Sequence, residues 1–186
     1  MLSDFAKKKH SRAFNIYFDR DGDGIVTFED YIANILYVKK NEGWGDADPQ
    51  WMELLNVKKK SWEVLKTNVG ATDSDQVTLA QWLSFSEKMQ NETKASGKPP
   101  QWMVDVFRTI FQSIDLNGDG DISLEEFTIH LKSIDSDCDP AETFNKADLN
   151  GDGVLNPNEL DQLIVEWWTS EDPEGAGNIF FIGKVD

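Results

Sequence analysis

A single cysteine, Cys138, is too few for an internal disulfide, so nothing in the chain points to an oxidising compartment. Long apolar runs are also absent. No stretch approaches the roughly 18 residues that a membrane span needs. The opening Met1-Leu2-Ser3-Asp4-Phe5, followed by Lys7-Lys8-Lys9, holds no apolar run suited to a signal peptide, and Leu2 excludes the N-myristoylation signal. The cytoplasm is therefore the expected location. Basic charge is scarce: 34 acidic against 18 basic residues leave a formal net charge of −16. Such a surface repels nucleic acid and anionic membranes, so neither is expected as a partner. Histidine is limited to His10 and His130, far apart and without a second ligand residue at metal-binding spacing, so surface or packing roles are expected. No Rossmann unit, P-loop or nucleophile elbow is present, and no catalytic constellation supports an enzyme.

Large apolar residues, by contrast, are plentiful. With 11 Phe and 7 Trp among 186 residues, the chain has the material for a sizeable core and is too apolar for disorder. The excess acid is then either a diffuse solvating surface or a few organised cation sites, and spacing distinguishes the two.

The spacing is repetitive. Asp19-Arg-Asp21-Gly-Asp23-Gly24 recurs as Asp115-Leu-Asn117-Gly-Asp119-Gly120 and as Asp148-Leu-Asn150-Gly-Asp152-Gly153. Helical apolar spacing flanks each copy: Phe5, Ala13, Phe14 and Phe18 precede the first, and Phe28, Tyr31, Ile32, Ile35 and Leu36 follow it. A hard divalent cation takes about seven oxygens, which a twelve-residue EF-hand loop supplies from positions 1, 3, 5, 7, 9 and 12. Position 6 turns with positive φ and favours Gly, while an apolar position 8 makes a short β-contact with a partner loop. In the third loop the ligands are then Asp115, Asn117, Asp119, the Asp121 carbonyl, Ser123 and Glu126. In the fourth they are Asp148, Asn150, Asp152, the Val154 carbonyl, Asn156 and Glu159. The first loop offers Asp19, Asp21, Asp23, the Ile25 carbonyl, Thr27 and Asp30. Asp30 stands where Glu is usual; it reaches with one oxygen more easily than with two, which moves this loop towards magnesium.

EF-hands pack in pairs, so a fourth loop is expected, and a remnant runs from Gly70 to Gln81. Gly70 cannot be a side-chain ligand, Asp75 replaces the turn Gly, and neutral Gln81 ends the loop, but Val77 keeps the β-contact. Asp48-Pro49 reads as the cap and start of the helix before it, and Asp139-Pro140 with Glu142 as the same device before loop four. The expected architecture is all-α: a helix-loop-helix pair over 1–93, a linker over 94–100, a second pair over 101–169, and an apolar tail over 170–186 that packs on the body. At helical spacing the seven Trp residues read as core, with a cofactor-lining role as the alternative.

The chain resembles the invertebrate sarcoplasmic calcium-binding proteins, with calexcitin as a close relative. The likeness lies in the opening Ser3-Asp4-Phe5, the first loop ending in Asp30, the ligand-poor second loop, and the closing Gly177-Asn178…Phe181…Gly183. It implies a compact two-domain α fold, cytosolic calcium and magnesium buffering, and no catalysis; separately, a monomer is expected. Two alternatives stay open. A calexcitin-type sensor would need a groove for a target, for which 4 Met are few. A photoprotein or luciferin-binding protein resembles the three-loop arrangement, but those proteins use His and Tyr around the ligand and end in Pro, whereas here 2 His and 3 Tyr are present and the chain closes on Val185-Asp186.

Overall fold

In a computed structural model that describes residues 1–19, 21–134, 136 and 138–183, nine helices run in order. They are α1 (Asp4–Tyr17), α2 (Phe28–Glu42), α3 (Pro49–Val69), α4 (Leu79–Ser96), α5 (Gln101–Ile114), α6 (Leu124–Ser133), α7 (Pro140–Ala147), α8 (Pro157–Thr169) and α9 (Ala176–Ile182). Two short strands, β1 (Ile25–Val26) and β2 (Val77–Thr78), are the rest of the regular structure. Residues 184–186, the last of the tail segment, lie outside the described residues.

Four helices start with the same device. Thr27 with Asp30, Thr78 with Gln81, Ser123 with Glu126 and Asn156 with Glu159 form capping boxes at the starts of α2, α4, α6 and α8. In each box the two side chains satisfy one another's backbone N–H groups. These pairs are positions 9 and 12 of the loops, so the residues that begin each exit helix also close its loop. Asp139 caps α7 as its spacing predicts, accepting from the Glu142 N–H at 2.8 Å. Asp48 differs: its carboxylate accepts from the Gly45 N–H and not from the helix, so the fixed φ of Pro49 starts α3 without a side-chain cap. α4 runs through Lys94, Ala95 and Ser96, into the stretch read as linker, and stops at Gly97, whose φ of 74° ends the helix in the left-handed region.

The loops pair at position 8, including the ligand-poor one. Val26 lies opposite Val77 in the antiparallel β1–β2 contact. Ile122 and Leu155 exchange two backbone hydrogen bonds of 2.8 and 2.9 Å.

Both halves contribute to one core. Phe14, Trp62, Trp82 and Phe85 from the first pair meet Phe111, Phe127, Leu163 and Trp168 from the second. α4 lies against α8, and α2 against α6. Each fully buried side chain of this size contributes about 1.5–3 kcal/mol relative to exposure. The tail segment forms α9, which buries Ile179, Phe180, Phe181 and Ile182 against α7, α8 and α1. Gly177 permits this approach: a Cβ there would collide with the Leu163 carbonyl and sit 2.8 Å from the Trp167 nitrogen.

Some burial differs from the periodic reading. Leu36 is 44% exposed, because the buried stripe of α2 is Tyr31, Ile35 and Val38, and Leu36 stands one step off it. Trp51, Trp62, Trp82, Trp167 and Trp168 are buried, while Trp44 and Trp102 are half-buried. His10 and His130 are both buried; His10 stacks on Trp168 with its ring edge-on to Trp167.

Candidate metal centres

In loop one the carboxylates of Asp19, Asp21 and Asp23 lie within 4.8 Å of one another. Backbone N–H groups hold them there. Asp19 accepts from Gly22 and Gly24 at 3.0 Å each, Asp21 from Asp23 at 3.2 Å, and Asp23 from Ile25 at 2.7 Å. Gly24, at position 6, has a φ of 81°, the conformation that lets the chain turn back around the centre.

Loops three and four repeat this pattern. Asp115 accepts from Gly118 and Gly120 at 2.8 and 3.0 Å, and Asp148 from Gly151 and Gly153 at 2.7 and 2.9 Å. Asn117 and Asn150 each donate to the carboxylate two residues on, Asp119 at 2.9 Å and Asp152 at 3.0 Å. In loop four Asp148, Asp152 and Glu159 bring carboxylate oxygens within 4.8 Å of one another. Loop three has the same hydrogen bonds, but its three carboxylates do not form so tight a group among the described residues.

The carbonyl at position 7 is aimed by the contact between loops. The Ile122 N–H points at Leu155, so in the trans peptide the Asp121 carbonyl points the opposite way, into its own loop. The reciprocal bond does the same for Val154, and the Val26–Val77 register serves Ile25.

Position 12 separates the loops most clearly. Glu126 and Glu159 are 6% and 2% exposed, and each spans its loop. Glu126 Oε1 accepts from Leu116 and Asn117 at 2.9 and 3.2 Å, while its Oε2 takes the Ser123 N–H and O–H at 2.9 and 2.8 Å. Glu159 does likewise with Leu149, Asn150 and Asn156. Asp30 is one methylene shorter and half-buried. Its Oδ2 holds the Thr27 N–H and O–H at 2.9 and 2.6 Å, and among the described residues it makes no bond across the loop. Asp30 thus lies beside the trio of Asp19, Asp21 and Asp23 and not within it.

Loop two is closed by other means. Gln81 accepts from the Thr78 N–H and O–H at 2.9 Å each and donates to the Gly70 carbonyl at 3.5 Å. Asp75, where the turn Gly would be, pairs with Lys66 at 2.9 Å, and Lys66 also meets Glu63 at 3.0 Å. These hydrogen bonds hold the Lys66 ammonium above its ordinary pKa. A protein cation stands here beside the loop's acid. Nothing in the spacing marked Lys66 for that role; the only signal was the misplaced Asp75.

Known proteins resemble this chain in sequence and fold. The EF hand family model matches residues 107–129 and 141–164, and the EF-hand domain pair model matches residues 11–33. The chain is 26% identical to sarcoplasmic calcium-binding proteins I, III and IV of Branchiostoma lanceolatum, over 95% of this chain and 96% of theirs. A solved amphioxus sarcoplasmic calcium-binding protein superposes over the whole of both chains with a TM-score of 0.75 at 24% identity. Calexcitin-1 of Caenorhabditis elegans is 28% identical over 98% of this chain and 88% of its own length. The coelenterazine-binding protein of Renilla muelleri, in its calcium-loaded apo form, shares the fold alone: TM-score 0.72 and 19% identity, over 99% of this chain and all of that one. The capped loops, their position-8 pairing and these full-length likenesses together give the chain an all-α EF-hand fold and make it similar to the sarcoplasmic calcium-binding proteins and calexcitin-1.

Proposed function

We propose that this protein is a non-catalytic calcium buffer of the cytoplasm, holding three ions in loops one, three and four. The observation that carries the reading is the convergence of carboxylate oxygens in loops one and four, with the same hydrogen-bonded loop geometry in loop three and no His or Cys among the proposed ligands. Such a set matches a hard divalent cation. The ligands would be Asp19, Asp21, Asp23, Thr27, Asp30 and the Ile25 carbonyl in loop one. Loop three would use Asp115, Asn117, Asp119, Ser123, Glu126 and the Asp121 carbonyl, and loop four Asp148, Asn150, Asp152, Asn156, Glu159 and the Val154 carbonyl. Asp30, tied to its own capping box, offers one oxygen, so loop one is the place where magnesium competes.

A buffer is favoured over a calexcitin-type sensor because the two loop pairs, 1–93 and 101–169, close on one another and on the 170–183 segment through a common core. The chain has only 4 Met, with Met89 and Met103 buried and Met1 and Met52 exposed and far apart in the sequence, which are few for a Met-rich groove. The chain acts as a monomer, and its relatives' sarcoplasmic name supports the cytoplasm. The test is a calorimetric calcium titration with and without magnesium. Three equivalents are expected, one of them weakened by magnesium. Two or four equivalents would overturn the site assignment. Apolar dye fluorescence that rises with calcium, at an unchanged melting temperature, would overturn the buffer.

A further inference from the structure

Where α1 to α6 meet α8 and α9, the core holds a cavity of about 100 Å³. Its walls are largely aromatic, among them Trp82, Trp102 and Trp168. An apolar cavity of about 150 Å³ takes benzene, so this one accommodates a single ring after a slight shift of its walls.

One wall is not apolar. Lys58, in α3, is 5% exposed and lines the cavity. Its ammonium lies 4.9 Å from the centroid of the Tyr31 ring. Among the described residues no carboxylate pairs with it and no oxygen accepts from it. Burial lowers its pKa to about 8, so it keeps its proton at neutral pH. His130 also lines the cavity; burial and the nearby Lys58 charge hold it neutral, at a pKa of about 3. The indole N–H of Trp168 is buried without a partner. The Tyr17 and Tyr31 hydroxyls are already spent on the Phe181 carbonyl and on Ser61. The wall, with Asn34 as a further neutral polar group, therefore holds a positive charge and, among the described residues, no negative group to match it. A buried charge of this kind is tolerated best when a counter-ion completes it.

We propose that this cavity is a binding site for a small aromatic carboxylate, with the Lys58 ammonium as its counter-ion and the indole walls stacking on its ring. None of the proposed cation ligands lines the site, so its failure would be distinguishable from a change in calcium stoichiometry.

Benzoate and benzyl alcohol, near-equal in shape and different in charge, are the probes. They are titrated into the calcium-loaded full chain and followed by Trp fluorescence and ligand-observed NMR. Benzoate should bind at least about tenfold more tightly than the alcohol, the factor that one charge-assisted hydrogen bond supplies. Lys58→Met should reduce benzoate to the level of the alcohol and leave the alcohol unchanged. Val106→Phe, which fills the cavity from α5, should abolish both. Equal affinity for the two probes, or no binding of either, would overturn the proposal. So would benzoate binding that survives Val106→Phe, and this last comparison decides even if Lys58→Met fails to fold.

Discussion

Replacing Glu159 by Gln separates two jobs that one carboxylate performs in loop four. Its oxygens accept four hydrogen bonds: Leu149 and Asn150 N–H at 2.9 and 3.1 Å, and the Asn156 N–H and side-chain amide at 3.0 and 2.8 Å. Loop two shows what an amide does at this position, since the Gln81 oxygen keeps the capping box and its nitrogen turns to the far side of the loop. In Glu159→Gln the amide nitrogen would therefore face the Leu149 and Asn150 N–H groups. Two charge-assisted bonds are lost, about 1.5 kcal/mol each, or about 3 kcal/mol together. Against this, neutralising a carboxylate within 4.8 Å of Asp148 and Asp152 relieves two repulsions. Each is worth about 1 kcal/mol at water-like screening. The metal-free protein should thus lose about 1 kcal/mol, or about 2–4 °C in melting temperature. With calcium at about 100 times its Kd, the missing site removes about 2.7 kcal/mol more, which brings the drop to about 7–15 °C. Paired melts in EDTA and in calcium, followed by helical ellipticity, measure the two. Equal drops in both buffers would mean that Glu159 caps a helix and binds nothing.

Three further outcomes follow from the same geometry. Asp30→Glu should let position 12 span loop one as Glu126 spans loop three, raising its calcium affinity relative to magnesium; an unchanged ratio in competitive calorimetry would refute the coordination argument. Gly177→Ala should cost about 3 kcal/mol or more, because the new Cβ meets backbone atoms of α8 and α9 must lift away; denaturant melts read this directly. His10 and His130 are held neutral by burial, with pKa values near 3 against about 6.5 when unfolded, so the unfolded chain binds more protons between those values. Their contribution is complete above about pH 6.5 and is lost as the pH falls, by about 1.4 kcal/mol per pH unit per histidine. His10→Leu should remove about half of that slope in calcium-saturated denaturant melts.

What the sequence disclosed and what it hid have different physical origins. The loops are legible because coordination and turn geometry require fixed residue types at fixed spacing, so Asp148, Gly153, Leu155 and Glu159 each carry their own reason. Caps such as Ser123 and Asn156 are legible for the same local reason. Lys58 is hidden because Lys58-Lys59-Lys60 reads as a solvated face, and only the packing of α2 and α5 on α3 buries the first of the three. Leu36 misleads in the opposite direction: it is apolar next to an apolar stripe, and the stripe alone is covered. The burial of His10 between two Trp rings depends on residues about 157 positions away, which no local pattern reports. Asp30 is read from its length and its place in the register as a one-oxygen ligand, and among the described residues its carboxylate bonds Thr27 and nothing across the loop.

The seat of α1 is built by chain made long after α1 itself. Lys9 donates to the Trp167 and Ser170 carbonyls at 2.5 and 3.0 Å, Arg12 to Ile182 at 2.8 Å, and Tyr17 to Phe181 at 2.6 Å. These bonds span between 158 and 170 residues. A ribosome adding about 5–20 residues per second takes roughly 8–30 s to cover that stretch. Throughout that interval α1 rests on α4, where the Trp82 indole N–H donates to the His10 carbonyl at 2.8 Å, and lacks its anchors on α8 and α9. The first cation loop to be synthesised therefore gains its last tertiary support only when α8 and α9 have been made.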